Sequence, residues 1–335
     1  MSEKKLNIQA LIIIGLMLAA VAVHFIAIDR FQKAPGITTI AVNDETLYVL
    51  EEQSIQGYTL NGDKIMEFSF TNKPDSFFFL SGRPGIYHRE SRRFVLYDLW
   101  FNTQKSFEGN DYINVSAVDD KIFAVRAKEK KIDIFDAAGE FIETLQTKAR
   151  PYTVFQWQGT LYYSEREHHH IYGLYGDEHF AFDRLPQDGT ILQAVDVNGL
   201  LHFLFADRDY FSSRYCVYAP HENVYIKETS EKYRLPASLA VFNGYAFVSD
   251  NARGIIDVYS PDHKEMCYFG DAEFKAAHER QFGYKKKYLY LGGIMNFIII
   301  ILFLWALAVF FINWMRKRRV GHGQAEGLSQ KSSVM

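Results

Sequence analysis

Hydrophobic positions fall into three blocks along the chain. From Ile8 to Ile28 it reads IQALIIIGLMLAAVAVHFIAI without a charge, and from Leu289 to Ile312 it reads LYLGGIMNFIIIILFLWALAVFFI, again without one. At about 1.5 Å per residue each run matches the roughly 30 Å apolar core of a bilayer. The pattern therefore predicts transmembrane helices over 8–28 and 288–314, with Tyr288, Tyr290 and Trp314 near the ends of the second, where aromatic belts form. Lys4 and Lys5 precede the first run and Ala20-Val21-Ala22 has the form of a signal-cleavage site, but the run continues through Val23, Phe25, Ile26 and Ile28. That continuation favours an uncleaved anchor.

Between the spans the pattern becomes short and periodic. An apolar residue followed three positions later by Tyr or Phe recurs at Ile55/Tyr58, Phe94/Tyr97, Ile132/Phe135, Tyr172/Tyr175, Tyr215/Tyr218 and Ile256/Tyr259, at spacings of 39, 38, 40, 43 and 41. Each unit contains four β-like runs. A polar turn separates the first two (Asn43-Asp44, Asp119-Asp120, Asn243-Gly244) and another the last two (Asn61-Gly62, Ala138-Gly139, Pro261-Asp262), as tight hairpins require. A four-stranded unit of about forty residues cannot bury both faces alone, and six stacked around an axis can. The fold class predicted is all-β, a six-bladed β-propeller over 37–270 flanked by two transmembrane helices. The 28 Phe and 21 Tyr are then blade-to-blade core.

The best unit, Ile122-Phe123-Ala124-Val125 followed by Ile132-Asp133-Ile134-Phe135-Asp136-Ala137-Ala138-Gly139, resembles the NHL-repeat group of six-bladed propellers, of TolB-like architecture. Units 2, 4 and 5 are degenerate. The resemblance implies architecture only, because NHL-like propellers include binding modules as well as enzymes.

Ring closure makes the first and last blades neighbours, so the two spans are expected side by side, with Gly15, Ala19 and Ala22 meeting Gly292 and Gly293 as a small-residue contact. His24 and Asn296 lie at similar depth. They either bond to each other or, respectively, snorkel to the interface and bond within the helix. Residues 1–7 form a short basic tail, 271–287 a juxtamembrane helix with Phe274, His278 and Phe282 on one face, and 315–335 a basic, disordered tail. Lys285, Lys286, Lys287, Arg316, Lys317, Arg318 and Arg319 are placed at the membrane surface, making lipids one expected partner. Lys4, Lys5 and Arg316–Arg319 suggest cytoplasmic termini and an extracytoplasmic, periplasmic propeller at a cell's inner or plasma membrane, although Arg30, Lys33 and Lys285–Lys287 narrow the margin.

Composition changes this picture little. The net charge of -3 gives no reason to expect nucleic acid. Cys216 and Cys267 lie in strand-like runs; they read as buried free thiols, with one bridge an alternative. His168-His169-His170, near Glu165, Glu167 and His179, is the one metal-like cluster. It falls in a hairpin of blade four, and consecutive histidines on a strand point to alternate faces, so a solvated loop is the favoured reading. No phosphate loop, GxSxG, HExxH or CxxC occurs, and no cofactor is expected. The function inferred is a non-enzymatic binding or scaffold module for envelope proteins or a polymer. The alternatives are a metal-dependent hydrolase or lactonase using the channel, and a sensor relaying through paired spans.

Overall fold

The computed structural model describes the chain from Glu3 to Lys331, apart from residues 34–35, 183–184, 209–211, 221, 230–232, 235–237, 252 and 271. It divides into two units, residues 35–283 and the pair of termini, 1–34 with 284–335.

The first unit is built from antiparallel hairpins. Blade one comprises β1–β4 (Ile37–Asn43, Thr46–Glu51, Ser54–Thr59, Lys64–Ser69) and blade two β5–β8 (Ser76–Leu80, Arg83–His88, Arg93–Tyr97, Thr103–Glu108). Blade three comprises β9–β12 (Asn114–Val118, Lys121–Arg126, Lys131–Phe135, Phe141–Gln146) and blade four β13–β16 (Pro151–Trp157, Thr160–Glu165, His170–Gly173, His179–Ala181). Blade five comprises β17–β20 (Gly189–Val197, Leu200–Asp207, Ser212–Ala219, Val224–Glu228) with β21 (Tyr233–Arg234) beside β19, and blade six β22–β25 (Leu239–Phe242, Tyr245–Asp250, Ile255–Tyr259, Glu265–Tyr268). Successive innermost strands adjoin, and β22 adjoins β1, so the ring closes. The chain is a six-bladed β-propeller.

Strand alternation explains the core. In β10, Ile122 and Ala124 pack into a cluster shared with blade two, whereas Phe123 and Val125 pack into one shared with blade four. Side chains alternate between faces, and in a propeller both faces are covered. The described core accordingly resolves into wedges, one at each blade junction.

Blade four corrects the repeat register. Ser164 pairs with Ile171 as Val125 pairs with Ile132, so the apolar marker is Ile171, fully buried, and not Tyr172; Tyr175 lies exposed in the following turn. A one-residue slip exchanges the two faces, which is how two tyrosines imitated the signature.

Among the described residues, no strand is exchanged between blades one and six. Closure rests on a shared core of Ile37, Ile40, Leu47, Val49 and Tyr58 with Ala240, Phe247, Ile256, Val258 and Phe269, and on hydrogen bonds from Ser238. Its Oγ lies 2.9 Å from Thr39 Oγ1 and accepts from Ile40 N at 3.2 Å. Gly62 meets Gly270 so closely that a Cβ on Gly62 would lie 2.5 Å from the Gly270 Cα. Phe274 caps the junction edge-on to Tyr58 and Phe269, with ring centroids at 5.1 and 5.5 Å. Of the expected Phe274, His278 and Phe282 face, the latter two side chains lie outside those described.

The second unit pairs α1 (Glu3–Lys33) with the apolar part of α2 (Ala272–Lys331), and its stretches Leu11–Arg30 and Lys287–Ile312 are long and apolar enough to cross a membrane. Helix α2 continues to Lys331, through the stretch read from composition as a disordered tail. In α1 the covered positions include Ile13, Met17, Ala20, His24 and Ala27; in α2 they include Tyr288, Gly292, Met295, Ile299, Leu302, Ala306 and Val309. Both series alternate steps of four and three, the repeat of a left-handed helix pair. His24 Nδ1 lies 3.1 Å from the Gly292 carbonyl oxygen. Ile13 and Leu302, each about three turns from that contact along its own helix, are also buried, which requires antiparallel helices.

Candidate functional site

Neighbouring blades are held together near the axis by short polar side chains. Ser116 Oγ lies 3.1 Å from Thr153 Oγ1, Ser164 Oγ donates to Ile191 O at 2.8 Å, and Gln193 Oε1 accepts from Leu239 N at 2.9 Å. With the Ser238–Thr39 contact these groups bridge neighbouring blades. Among the described residues, no group of three or more His, Cys, Asp or Glu side chains is arranged to hold a metal ion.

The turns divide the ring into two faces. Turns between first and second strands bond around the ring, Trp157 Nε1 to Gly199 O at 3.4 Å and Gln158 N to Asp196 Oδ2 at 2.6 Å, and so mark one face. They carry Asp44, Glu45, Asp119 and Asp120. The antiparallel order puts second–third turns, blade-to-blade links, and both ends of the ring's chain on the other face. There Arg166 N donates to Arg150 O and Arg89 Nε to Tyr112 O, both at 2.8 Å. This rim carries the exposed bases Arg89, Arg92, Lys128, Lys130, Lys148 and Arg150, interspersed with the exposed acids Asp75, Glu90, Asp111 and Glu129.

The bases converge between blades three and four in a cleft of ≈ 340 Å³ lined by Lys130, Lys148, Ala149, Arg150, Glu165, Arg166, Glu167, His168 and Tyr172. Four basic side chains face two carboxylates. Glu165 is held by Tyr172, whose hydroxyl donates to Oε2 at 3.2 Å, and by His170 Nδ1 at 3.3 Å. Glu167 Oε2 is 4.0 Å from Arg150 Nη1, while its Oε1 is 3.8 Å from Arg166 Nε. Arg166 Nε is buried with no hydrogen-bond partner. Backbone bonds fix the walls: Tyr163 OH accepts from Lys148 N at 3.1 Å, and Thr190 Oγ1 accepts from Glu167 N at 2.7 Å. Lys148 Nζ also pairs with exposed Asp177 at 2.5 Å.

The histidine hairpin forms one side of this cleft. His168 is exposed, His169 is buried with Nδ1 3.4 Å from Gln187 O, and His170 packs 4.9 Å from His179, ring to ring. Burial, followed by the neighbouring charge of His169, lowers the His170 pKa. The three consecutive rings thus occupy different environments. The lysines and arginines around them come from three separate turns, so linear spacing does not group them; the sorting of turns by face does.

A second cleft, ≈ 290 Å³, lies between blades two and three around buried Asp133. That carboxylate accepts from Arg126 Nη2 and Thr144 Oγ1 at 2.7 Å each, Tyr112 OH at 2.9 Å and Asn110 Nδ2 at 3.2 Å. Burial opposes its charge, but these bonds outweigh burial and hold its pKa below the usual carboxylate value. All its acceptor capacity goes to structure.

In the helical unit, Gly15, Ala19, Ala22, Gly293 and Asn296 are exposed, and of the small residues named from sequence only Gly292 lies in the seam. A Cβ on Gly15, Gly292 or Gly293 would meet nothing within 4 Å, so close backbone approach does not set this pairing. His24 bonds to the Gly292 backbone rather than to Asn296. Lys287 is exposed; the side chains of Lys285, Lys286 and Arg316–Arg319 lie outside those described. Both cysteines are free, Cys216 buried in the junction of blades four and five and Cys267 exposed on β25, an outermost strand. The expected burial of Cys267 fails because an outermost strand has no neighbour beyond it.

No family model matches the sequence, and no curated protein matches it significantly. Solved structures do match in fold. A virginiamycin B lyase from Staphylococcus aureus, a catalytically inactive variant with quinupristin, aligns at 11% identity over 70% of this chain and 84% of its own, with a TM-score of 0.50. KlHsv2, with its loop 6CD replaced by a Gly-Ser linker, aligns at 10% identity over 71% and 99%, with a TM-score of 0.50. BamB from Moraxella catarrhalis aligns at 11% identity over 69% and 86%, with a TM-score of 0.43. At such identities the likeness of the first two is one of fold alone.

Proposed function

We propose that this chain is a membrane-tethered, non-enzymatic binding platform, anchored by both apolar helices, with cytoplasmic termini and an extracytoplasmic ring. The observation that carries the reading is the coincidence of two features on one face of the ring. The basic cleft between blades three and four opens on the rim from which both chain connections to the apolar helices depart. A recognition surface on the face of the ring from which the chain leaves is suited to envelope proteins or polymers.

Reporter fusions at Gly139 and at the C-terminus should give opposite compartment signals. Identical signals would refute the two-span tether. Affinity purification of the full chain in mild detergent should recover partners whose association is lost in an Arg150→Gln/Arg166→Gln variant. Recovery of the protein alone, with catalytic turnover, would sink the platform reading.

A further inference from the structure

We propose that the rim cleft between blades three and four is a phosphate-binding site, whose ligand is a phosphate ester of the kind carried by anionic lipid headgroups. The inference deepens the binding reading above and rests on it for the role of this face. Its basis is the state of the cleft's cations. Glu165 is engaged by Tyr172 and His170, at 3.2 and 3.3 Å, leaving Glu167 as the second lining carboxylate. Its oxygens stand 4.0 Å from Arg150 Nη1 and 3.8 Å from Arg166 Nε, too far for hydrogen bonds. Arg166 Nε is thus a buried donor without an acceptor, a costly condition that shows the guanidinium is not satisfied by the cleft's own carboxylates.

Arginine forks match the spacing of phosphate oxygens, and a lysine adds a point charge. Here two arginines and Lys130 border a cavity of ≈ 340 Å³, the volume class of a small-ligand site. The cleft is also built rather than incidental. Arg166 N is bonded to Arg150 O at 2.8 Å, which extends the β13–β14 pairing of blade four and ties the two arginine backbones together. Lys130 Nζ reaches the Lys148 carbonyl at 3.5 Å from the neighbouring turn.

The test uses the purified full chain in zwitterionic detergent, titrated calorimetrically with inorganic phosphate, with dihexanoyl phosphatidate and with dihexanoyl phosphatidylcholine. Saturable binding of phosphatidate is expected, weakened about tenfold or more by Arg150→Gln/Arg166→Gln and unchanged by Arg92→Gln, an exposed base on the same rim outside the cleft. Phosphatidate binding more tightly than inorganic phosphate assigns a lipid headgroup; equal affinity keeps the phosphate site and assigns free phosphate. Absence of saturable binding overturns the proposal, as does an equal loss in Arg92→Gln, which would reveal diffuse surface charge. Partner recovery that persists without phosphate binding would overturn this inference while leaving the platform reading intact. A near-ultraviolet circular dichroism spectrum matching the parent keeps a misfolded variant from being mistaken for either result.

Discussion

At all six turns between first and second strands, both central residues sit at positive φ. This is the type I′ geometry whose twist matches a hairpin. Blades four, five and six use Gln158-Gly159, Asn198-Gly199 and Asn243-Gly244, with glycine second, whereas blade one places Asp44 at φ 46° and Glu45 at φ 61°. A left-handed conformation costs a side-chain-bearing residue about 1 kcal/mol. Glu45→Gly should therefore raise stability by about 1 kcal/mol at most, since glycine's freedom when unfolded offsets part of the gain. A rise in the melting temperature of the detergent-solubilised chain checks it. His202 supplies a pH dependence at the same scale. It is buried, with Nδ1 2.7 Å from Tyr215 OH and its ring 5.3 Å from His263. Burial first, then the charge of His263, push its pKa down from 6.5 to about 4. The unfolded chain binds the proton more readily than the folded one, so this group's contribution is fully present above pH 6.5 and lost as pH falls toward 4. At about 1.4 kcal/mol per unit the loss approaches 3 kcal/mol. Urea midpoints measured across that window should slope upward with pH, less steeply in His202→Phe.

Among elements, a tyrosine set beside an aspartate recurs at the inner ends of blade links. Tyr112, on the link into blade three, donates to Asp133 of β11 at 2.9 Å, and Tyr233, on the link into blade six, shares a hydrogen bond with the Tyr259 hydroxyl of β24, where burial first and then the Asp257 charge raise its pKa. The aspartates are equivalent repeat positions, Ile132-Asp133-Ile134-Phe135 and Ile256-Asp257-Val258-Tyr259. Removing the phenol leaves a buried carboxylate short of a partner, so Tyr112→Phe should cost about 1.5–3 kcal/mol, read as a lower urea midpoint with an unchanged m-value. The helix pair makes a contrasting case. Ala27 is fully covered in the seam and Ala22 is exposed, so Ala27→Phe should loosen the pair by overpacking while Ala22→Phe should not. Protease sensitivity of the reconstituted chain discriminates between them. Strands, hairpins and apolar helices were legible because hydrophobic period and turn chemistry are local. The seam was not, because a span is apolar all round and small residues occur on every side of it.

For the whole molecule, closure depends on contacts between the first and last blades, since no strand is exchanged among the described residues. Gly62→Ala would place a Cβ 2.5 Å from Gly270 Cα at φ +99°, adding a clash to backbone strain at a cost of about 2–4 kcal/mol. Gly159→Ala, at φ +75° with nothing within 4 Å of its Cβ, should cost only about 1 kcal/mol. Comparative thermal melts of the two variants check the closing contact. The sequence by itself determined two bilayer-length apolar segments and six antiparallel units, because hydrophobic length and a forty-residue period are written in consecutive residues. Only the tertiary structure decided the rest: Ile171 as the blade-four marker, the exposure of Cys267, the heptad seam through His24 and Gly292, and the gathering of Lys130, Lys148, Arg150 and Arg166 in one cleft. Those four bases belong to three turns of two blades. Their proximity follows from ring closure and antiparallel order, which sort turns by face, and linear spacing carries no trace of that sorting.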